Sequence, residues 1–161
     1  LAFVKRIVLL KHGDEAIGIA VFASPAASLT LRSQYFGLKH ARSRIGMAGL
    51  NQQLWLLQRV VLHPAYRGAG IASQFIREAC TSCAVRWIET LTAMGHANPV
   101  FERAGFVRVG VITKKANKQQ TNGAYARGRH EPHWQGEPVY YVFDNRTGIP
   151  VKNSEEYDLR R

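Results

Sequence analysis

The chain has 161 residues, enough for one domain with its own core and too many for a disulfide-stapled miniprotein. Hydrophobic residues make up 46% of it, an ordinary globular share, and no apolar run approaches the roughly 20 residues of a membrane-spanning helix. Lys and Arg number 22 against 11 Asp and Glu, so the net charge of +11 suits phosphate-bearing ligands or nucleic acid as well as a solvated basic face.

The charge is unevenly spread. No Asp or Glu occurs from Ala16 to Arg77 or from Arg103 to His130, and both stretches carry several arginines or lysines. Phe3 to Leu10 is apolar but leads into a charged turn, not into a small-residue cleavage site, so it does not read as a signal peptide. Together with nothing that argues for export, this gives a cytoplasmic reading. The chain starts at Leu1 rather than Met, and we read it as a fragment of a longer protein or a trimmed chain.

Phe3–Lys11 and Ala16–Phe22 read as two strands joined at His12-Gly13-Asp14-Glu15, a hairpin. Ala23 to Gln53 holds Ser, Pro, Gly and basic residues, and is expected to be a short helix or irregular. Leu54–Leu62 is an almost continuous apolar strand, broken by Gln58-Arg59 and stopped by Pro64, and its apolarity implies burial on both faces. Ile71–Val85 has helical spacing through Ile71, Phe75, Ile76, Ala79 and Cys83, and Arg86–Met94 reads as the next strand. Strand, helix and strand at this spacing predict a parallel pair with a right-handed crossover.

Pro99–Ala104 is expected to form a short helix, with Pro in its first turn and Gly105 just beyond its end. Phe106–Thr113 and Glu137–Phe143 read as strands. Residues 114–136 between them form a basic, Gly/Asn/Gln-rich loop expected to be mobile, and 144–161 a polar tail. The whole, 1–161, reads as a single domain. Cys80 and Cys83 fall within the longer helix without a second Cys pair, so two small residues on one helix face are favoured over a metal or redox site. His130 and His133 are likewise read as polar loop residues, and no metal site is assigned.

The sharpest feature is the turn Arg67-Gly68-Ala69-Gly70-Ile71-Ala72 between a buried strand and a helix. Glycines let the backbone turn and approach a ligand, the first helical N–H groups lack partners, and the helix dipole adds positive character. These make a phosphate cradle, with Arg67 as a cation beside it. It is not a Walker A loop, which needs Gly-Lys-Ser/Thr where Gly70-Ile71-Ala72 stands. It is not a dinucleotide fingerprint either, because Ser73 occupies the third glycine position.

The turn resembles the (Gln/Arg)-x-x-Gly-x-(Gly/Ala) motif of the GNAT superfamily of N-acetyltransferases, and Val60-Val61-Leu62-His63-Pro64-Ala65-Tyr66 resembles the strand that leads into it. Asn98-Pro99-Val100-Phe101-Glu102-Arg103-Ala104-Gly105-Phe106 is similar to the family's second signature. The two together cover roughly Leu54 to Val109. A narrower resemblance, through Leu50-Asn51, Arg59 to Pro64, Glu89-Thr90 and Asn98-Pro99, is to GNAT-like domains fused to soluble ABC-type ATPases and to phage Mom-like DNA-modifying relatives.

The resemblance implies an α/β (α+β) fold: a mixed, mostly antiparallel sheet with a central splayed parallel strand pair and flanking helices. It implies acetyl-CoA or another acyl-CoA as co-substrate, with backbone at Val60, Val61 and Leu62 holding the pantetheine. The pyrophosphate falls to Arg67, Gly68, Ala69, Gly70, Ile71 and Ala72, and Asn98 and Phe101 border the same site. An amine attacks the thioester directly, helped by an N–H near Leu62 that polarises the carbonyl. The family's usual acid is a Tyr where this chain has Phe101, and its usual strand Glu falls where Gln58 and Arg59 stand. Glu89, His63 and Tyr140 are therefore the candidate catalytic groups, with His96 and Tyr141 behind them. The alternative for Glu89 is an ion pair, with Arg59 as the expected partner. Two further readings stay open: a nucleic-acid-binding or nucleic-acid-modifying module, and a non-catalytic CoA-binding domain.

Overall fold

A computed structural model describes residues 3–38, 44–113, 137–146 and 157–158. The segment 114–136 lies outside the described residues, as do 147–156 and 159–161. The first hairpin is β1 (Val4–His12) and β2 (Glu15–Ala23). The stretch expected to be a short helix or irregular holds two helices, α1 (Thr30–Tyr35) and α2 (Arg44–Gln53). Then come β3 (Leu54–Leu62), a 3₁₀ turn at Pro64–Tyr66, α3 (Ile71–Thr81), β4 (Trp87–Thr92) and a second 3₁₀ turn at Ala93–His96. The chain continues through α4 (Val100–Arg103), β5 (Val107–Val111), β6 (Val139–Asp144) and the two-residue β7 (Tyr157–Asp158).

The strands form one sheet in the order β5-β6-β4-β3-β2-β1-β7. Neighbours are antiparallel except β3 with β4, as the crossover through α3 requires, and β7 with β1 at the edge. The β3–β4 ladder is short. It runs from Leu54↔Trp87 through Trp55↔Ile88 to Leu56↔Glu89 and then stops. On its other side β3 stays paired with β2 as far as Gly18↔Leu62, so the two central strands diverge from Leu57 onward. A bulge marks the divergence: Val21 pairs with Arg59 and Phe22 with Leu57, leaving Gln58 as the extra residue. The Thr90 hydroxyl donates to the Leu57 carbonyl at 3.0 Å, tying the strands together where the ladder ends.

The two sheet faces carry different helices. Ile88 belongs to the main buried cluster with Phe75, Ile76, Ala79 and Cys80 of α3 and with Val8, Ala20, Phe22 and Leu57. Val100 and Phe101 of α4 and its C-cap Ala104 join the same cluster, and Arg77 donates from α3 to the carbonyls of Ala104 and Arg103. Successive strand residues face opposite ways, so Glu89 points to the other face, where it meets Arg32 of α1.

Local boundaries shift for identifiable reasons. The helix α3 ends at Thr81 rather than Val85, because the Ser82 hydroxyl and the Cys83 thiol both donate to the Ala79 carbonyl and compete with further helical turns. Cys80 and Cys83 are both free thiols in the core, with burial the first cause of their raised pKa values. The strand β6 runs on through Asp144, and Asn145, placed by sequence in a polar tail, is buried. Its amide donates to the carbonyls of Cys83 and Val85. Arg146 pairs with Asp144 and lies 4.8 Å from the Trp87 ring centre, so the start of the tail is fastened to β4.

Candidate active site: the cleft between the splayed strands

Where β3 and β4 part, a cleft of about 520 Å³ opens. Its apex is Leu57 and Thr90, and its walls include Val60 and Leu62 on one side and Leu91, Thr92 and Met94 on the other. Ile76, Val100 and Phe101 form the apolar floor, and Arg67, Gly68 and Ala72 bound the end at the start of α3. Beyond Leu56 the edge of β3 that faces β4 has no strand partner among the described residues, so its backbone groups border the cleft. A flexible apolar arm with amide groups suits such a slot, because it can pair with an unpartnered strand edge.

The cleft ends at the turn singled out in the sequence. Gly68 (φ +83°) and Gly70 (φ +79°) are both left-handed, and a Cβ at either would meet no atom within 4 Å. The backbone conformation, not crowding, therefore selects glycine here. Gly70 is the N-cap of α3, whose 11 residues present unpaired N–H groups at this end. Arg67 is exposed, and its Nε donates to the Leu62 carbonyl at 3.1 Å, which folds the guanidinium back over the end of β3. The preceding turn is held by Tyr66, whose hydroxyl meets His12 Nδ1 at 2.9 Å across to the hairpin.

The residues expected to bind acyl-CoA are brought together. Val60, Leu62, Arg67, Gly68, Ala72, Asn98 and Phe101 all line the cleft. Ala69, Gly70 and Ile71 continue the turn at its end, and Val61 lies on the same strand but is 41% exposed on the far face. A long molecule with an apolar arm and phosphates at one end fits this arrangement, with the arm along β3 and the phosphates at the α3 N-terminus.

The three candidate catalytic groups lie elsewhere. Glu89 has no exposed surface, and its carboxylate accepts Arg32 Nε at 2.8 Å and Nη2 at 2.5 Å. Its ion-pair partner is thus Arg32, not Arg59. Tyr140, also fully buried, donates its hydroxyl to Glu89 at 2.9 Å, and burial followed by the Glu89 charge pushes its pKa up. Arg32 completes the group by donating to the Ala26 carbonyl at 2.6 Å. His63 caps the Pro64–Tyr66 turn by accepting from the Ala65 N–H at 3.3 Å, at the phosphate end of β3. None of the three is among the residues lining the cleft.

The secondary candidates are also engaged. His96 Nε2 contacts the Glu137 carbonyl at 2.8 Å. Tyr141 donates to Glu102 at 2.8 Å, and burial, then that carboxylate, raises its pKa to about 12. Among the described residues, the charged side chains that line the cleft are Arg59 and Arg67, with no Asp or Glu.

A strand pair that parts over a helix N-terminus, with the cleft closing on a glycine cradle, is the frame of an acyl-CoA-binding domain. The Acetyltransferase (GNAT) domain matches residues 12–122, more than half of the chain, and the protein belongs to the GNAT acetyltransferase family. No curated protein sequence matches it significantly. Among solved structures it is similar to a chimera of spermidine N-acetyltransferase SpeG from Vibrio cholerae and hSSAT, at 12% identity over 85% of this chain and 65% of that one, with a TM-score of 0.51. It is also similar to aminoglycoside acetyltransferase AAC(6')-Ib in complex with coenzyme A, at 18% identity over 87% and 65% of the two chains, TM-score 0.50. The same enzyme with ribostamycin and coenzyme A matches at 18% identity over 91% and 67%, TM-score 0.50. At these identities the likeness is one of fold, and the chain spans about 65% of the length of the first of them.

Proposed function

We propose that the protein is an acyl-CoA-dependent N-acyltransferase of the cytoplasm, with acetyl-CoA as the simplest donor. The observation that carries this reading is the continuity of the cleft from the strand apex at Leu57 and Thr90 to the glycine cradle at Gly68 and Gly70. One end suits a thioester, the middle its apolar arm, and the other its phosphates. Free, buried Cys80 and Cys83 accord with a reducing compartment. No helix among the described residues is long and apolar enough to cross a membrane.

In this reading the backbone of Val60 to Leu62 holds the pantetheine, and the N–H that polarises the thioester carbonyl belongs to β3 nearer the apex, because Arg67 ties Leu62 to the phosphate end. The ammonium first loses a proton to solvent, the amine nitrogen then bonds to the carbonyl carbon, the carbon–sulfur bond breaks, and the second nitrogen proton passes to the leaving thiolate. Glu89 and Tyr140 act through Arg32 as positioning residues that hold α1 against the sheet. Rate enhancement then comes from orientation in the cleft more than from a side-chain base. Thioester cleavage over a panel of amines tests this. Acyl transfer to at least one amine is expected, and CoA binding without turnover on any acceptor would make the chain a non-catalytic CoA-binding domain.

The two acid-free basic stretches favour a second reading, in which the domain also engages nucleic acid. Such binding should weaken steeply between low and physiological salt, and salt-independent binding would contradict it.

A further inference from the structure

The charge at the cleft apex is of the wrong sign for a cationic acceptor. Arg59 follows the bulge at Gln58, lines the cleft and is exposed, and it has no hydrogen bond or ion pair among the described residues. Its position follows from the register. Leu56 pairs with Ala23 and Arg59 with Val21, two residues apart on β2, so Leu56 and Arg59 share a face. Leu56 is also the register partner of Glu89, which meets α1. Arg59 therefore stands on the α1 face of the sheet, opposite α3.

Nothing in the proposed donor calls for a cation at that point. The phosphates belong at Arg67 and the α3 N-terminus, beyond the end of β3. Three residues of extended strand, about 10 Å, separate Arg59 from Leu62. The arm and the thioester between them are uncharged. Glu89, the register partner of Leu56 at the end of the β3–β4 ladder, is neutralised by Arg32 and fully buried, so it does not offset Arg59. A guanidinium with no partner among the described residues, beside a neutral reacting group, attracts an anion and repels a polycation.

We infer that Arg59 selects the acceptor, and that the acceptor amine belongs to a molecule carrying a carboxylate or phosphate close to the amine. This rests on the acyl-CoA reading of the cleft. It sets the protein apart from the named activities of the solved structures it resembles, which concern spermidine and an aminoglycoside.

The test compares matched amines with the whole chain, by calorimetry with and without bound CoA and by thioester consumption. β-Alanine is set against propylamine and phosphoethanolamine against ethanolamine, with spermidine as the polycation. A single-stranded oligodeoxynucleotide tells a phosphate on a polymer from a free one. The anionic member of a pair should bind about tenfold or more tightly than its neutral counterpart. Arg59→Gln should remove the preference by raising KM for the anionic amine, Arg59→Lys should keep part of it, and CoA affinity should change by less than about threefold in either. Equal affinities within pairs, preference for spermidine, no binding of any anionic probe at millimolar concentration, or a preference that survives Arg59→Gln would each overturn the inference. If CoA binds and the preference is missing, only the acceptor assignment fails. If CoA itself does not bind, the acyl-CoA reading fails with it.

Discussion

Glu89 is the residue whose meaning depends most on its surroundings. A carboxylate on the strand beside a CoA cleft invites the role of general base, but this one is buried, paired twice with Arg32 and bonded by Tyr140. Removing its charge leaves a buried guanidinium without compensation, and breaking such a pair costs about 3–5 kcal/mol. Glu89→Gln should therefore lower unfolding stability by about that amount in urea denaturation, while the pH–rate profile of the surviving folded enzyme keeps its shape. Loss of an ionisation from that profile with stability unchanged would return Glu89 to a catalytic role. The pair escaped sequence reading because its partners are 57 positions apart and a buried arginine in a polar segment leaves no pattern. Arg59, within the apolar run of the neighbouring strand, was the partner expected from the parallel pairing, and the bulge at Gln58 is what gives it a separate position.

At the scale of elements, the strands that build the cleft were readable because burial writes itself into apolar runs. β3 and β4 could be placed, and so could the parallel pairing, since a helix of this length between two strands leaves few other connections. The glycine cradle was readable too, because left-handed backbone and a helix start select particular residue types. The helices α1 and α2 were not. Each is short, and the described Arg32 is buried, so apolar periodicity does not mark the packed face. The point where the strands part was equally hidden, since a bulge is a matter of pairing, not composition. Thr90 holds that point through its bond to Leu57. Thr90→Val keeps the volume but leaves the carbonyl unpaired, and should cost about 1–3 kcal/mol and weaken CoA binding. Unchanged CoA affinity in a titration of that variant would show that the apex bond does not shape the cleft.

For the molecule as a whole, the core carries several acidic protons that folding holds in place. Burial raises Cys83 from 9.0 to about 12 and, with the Glu102 carboxylate, raises Tyr141 from 10.0 to about 12. Cys80 and Tyr140 shift the same way. The unfolded chain ionises first as pH rises, so it binds fewer protons than the folded one above about pH 9. Stability contributed by these groups is complete below their unfolded pKa values and is lost on the way to about 12. Thermal unfolding should therefore move to lower temperature between about pH 9 and 12, and a melting temperature constant across that range would contradict the assignment.

The same whole-molecule view explains why the net charge of +11 does not by itself name a ligand. Phosphate recognition is assigned to one end of the cleft and acceptor recognition to the other, through different arginines. The cradle is the claim on which the rest depends. Calorimetric titration of the protein with CoA tests it most directly, alongside Gly70→Glu, which places a carboxylate on left-handed backbone at the α3 N-terminus. One molecule of CoA should bind per chain, with binding abolished in the folded variant. No binding to the folded wild-type protein, or equal binding to Gly70→Glu, would contradict the account.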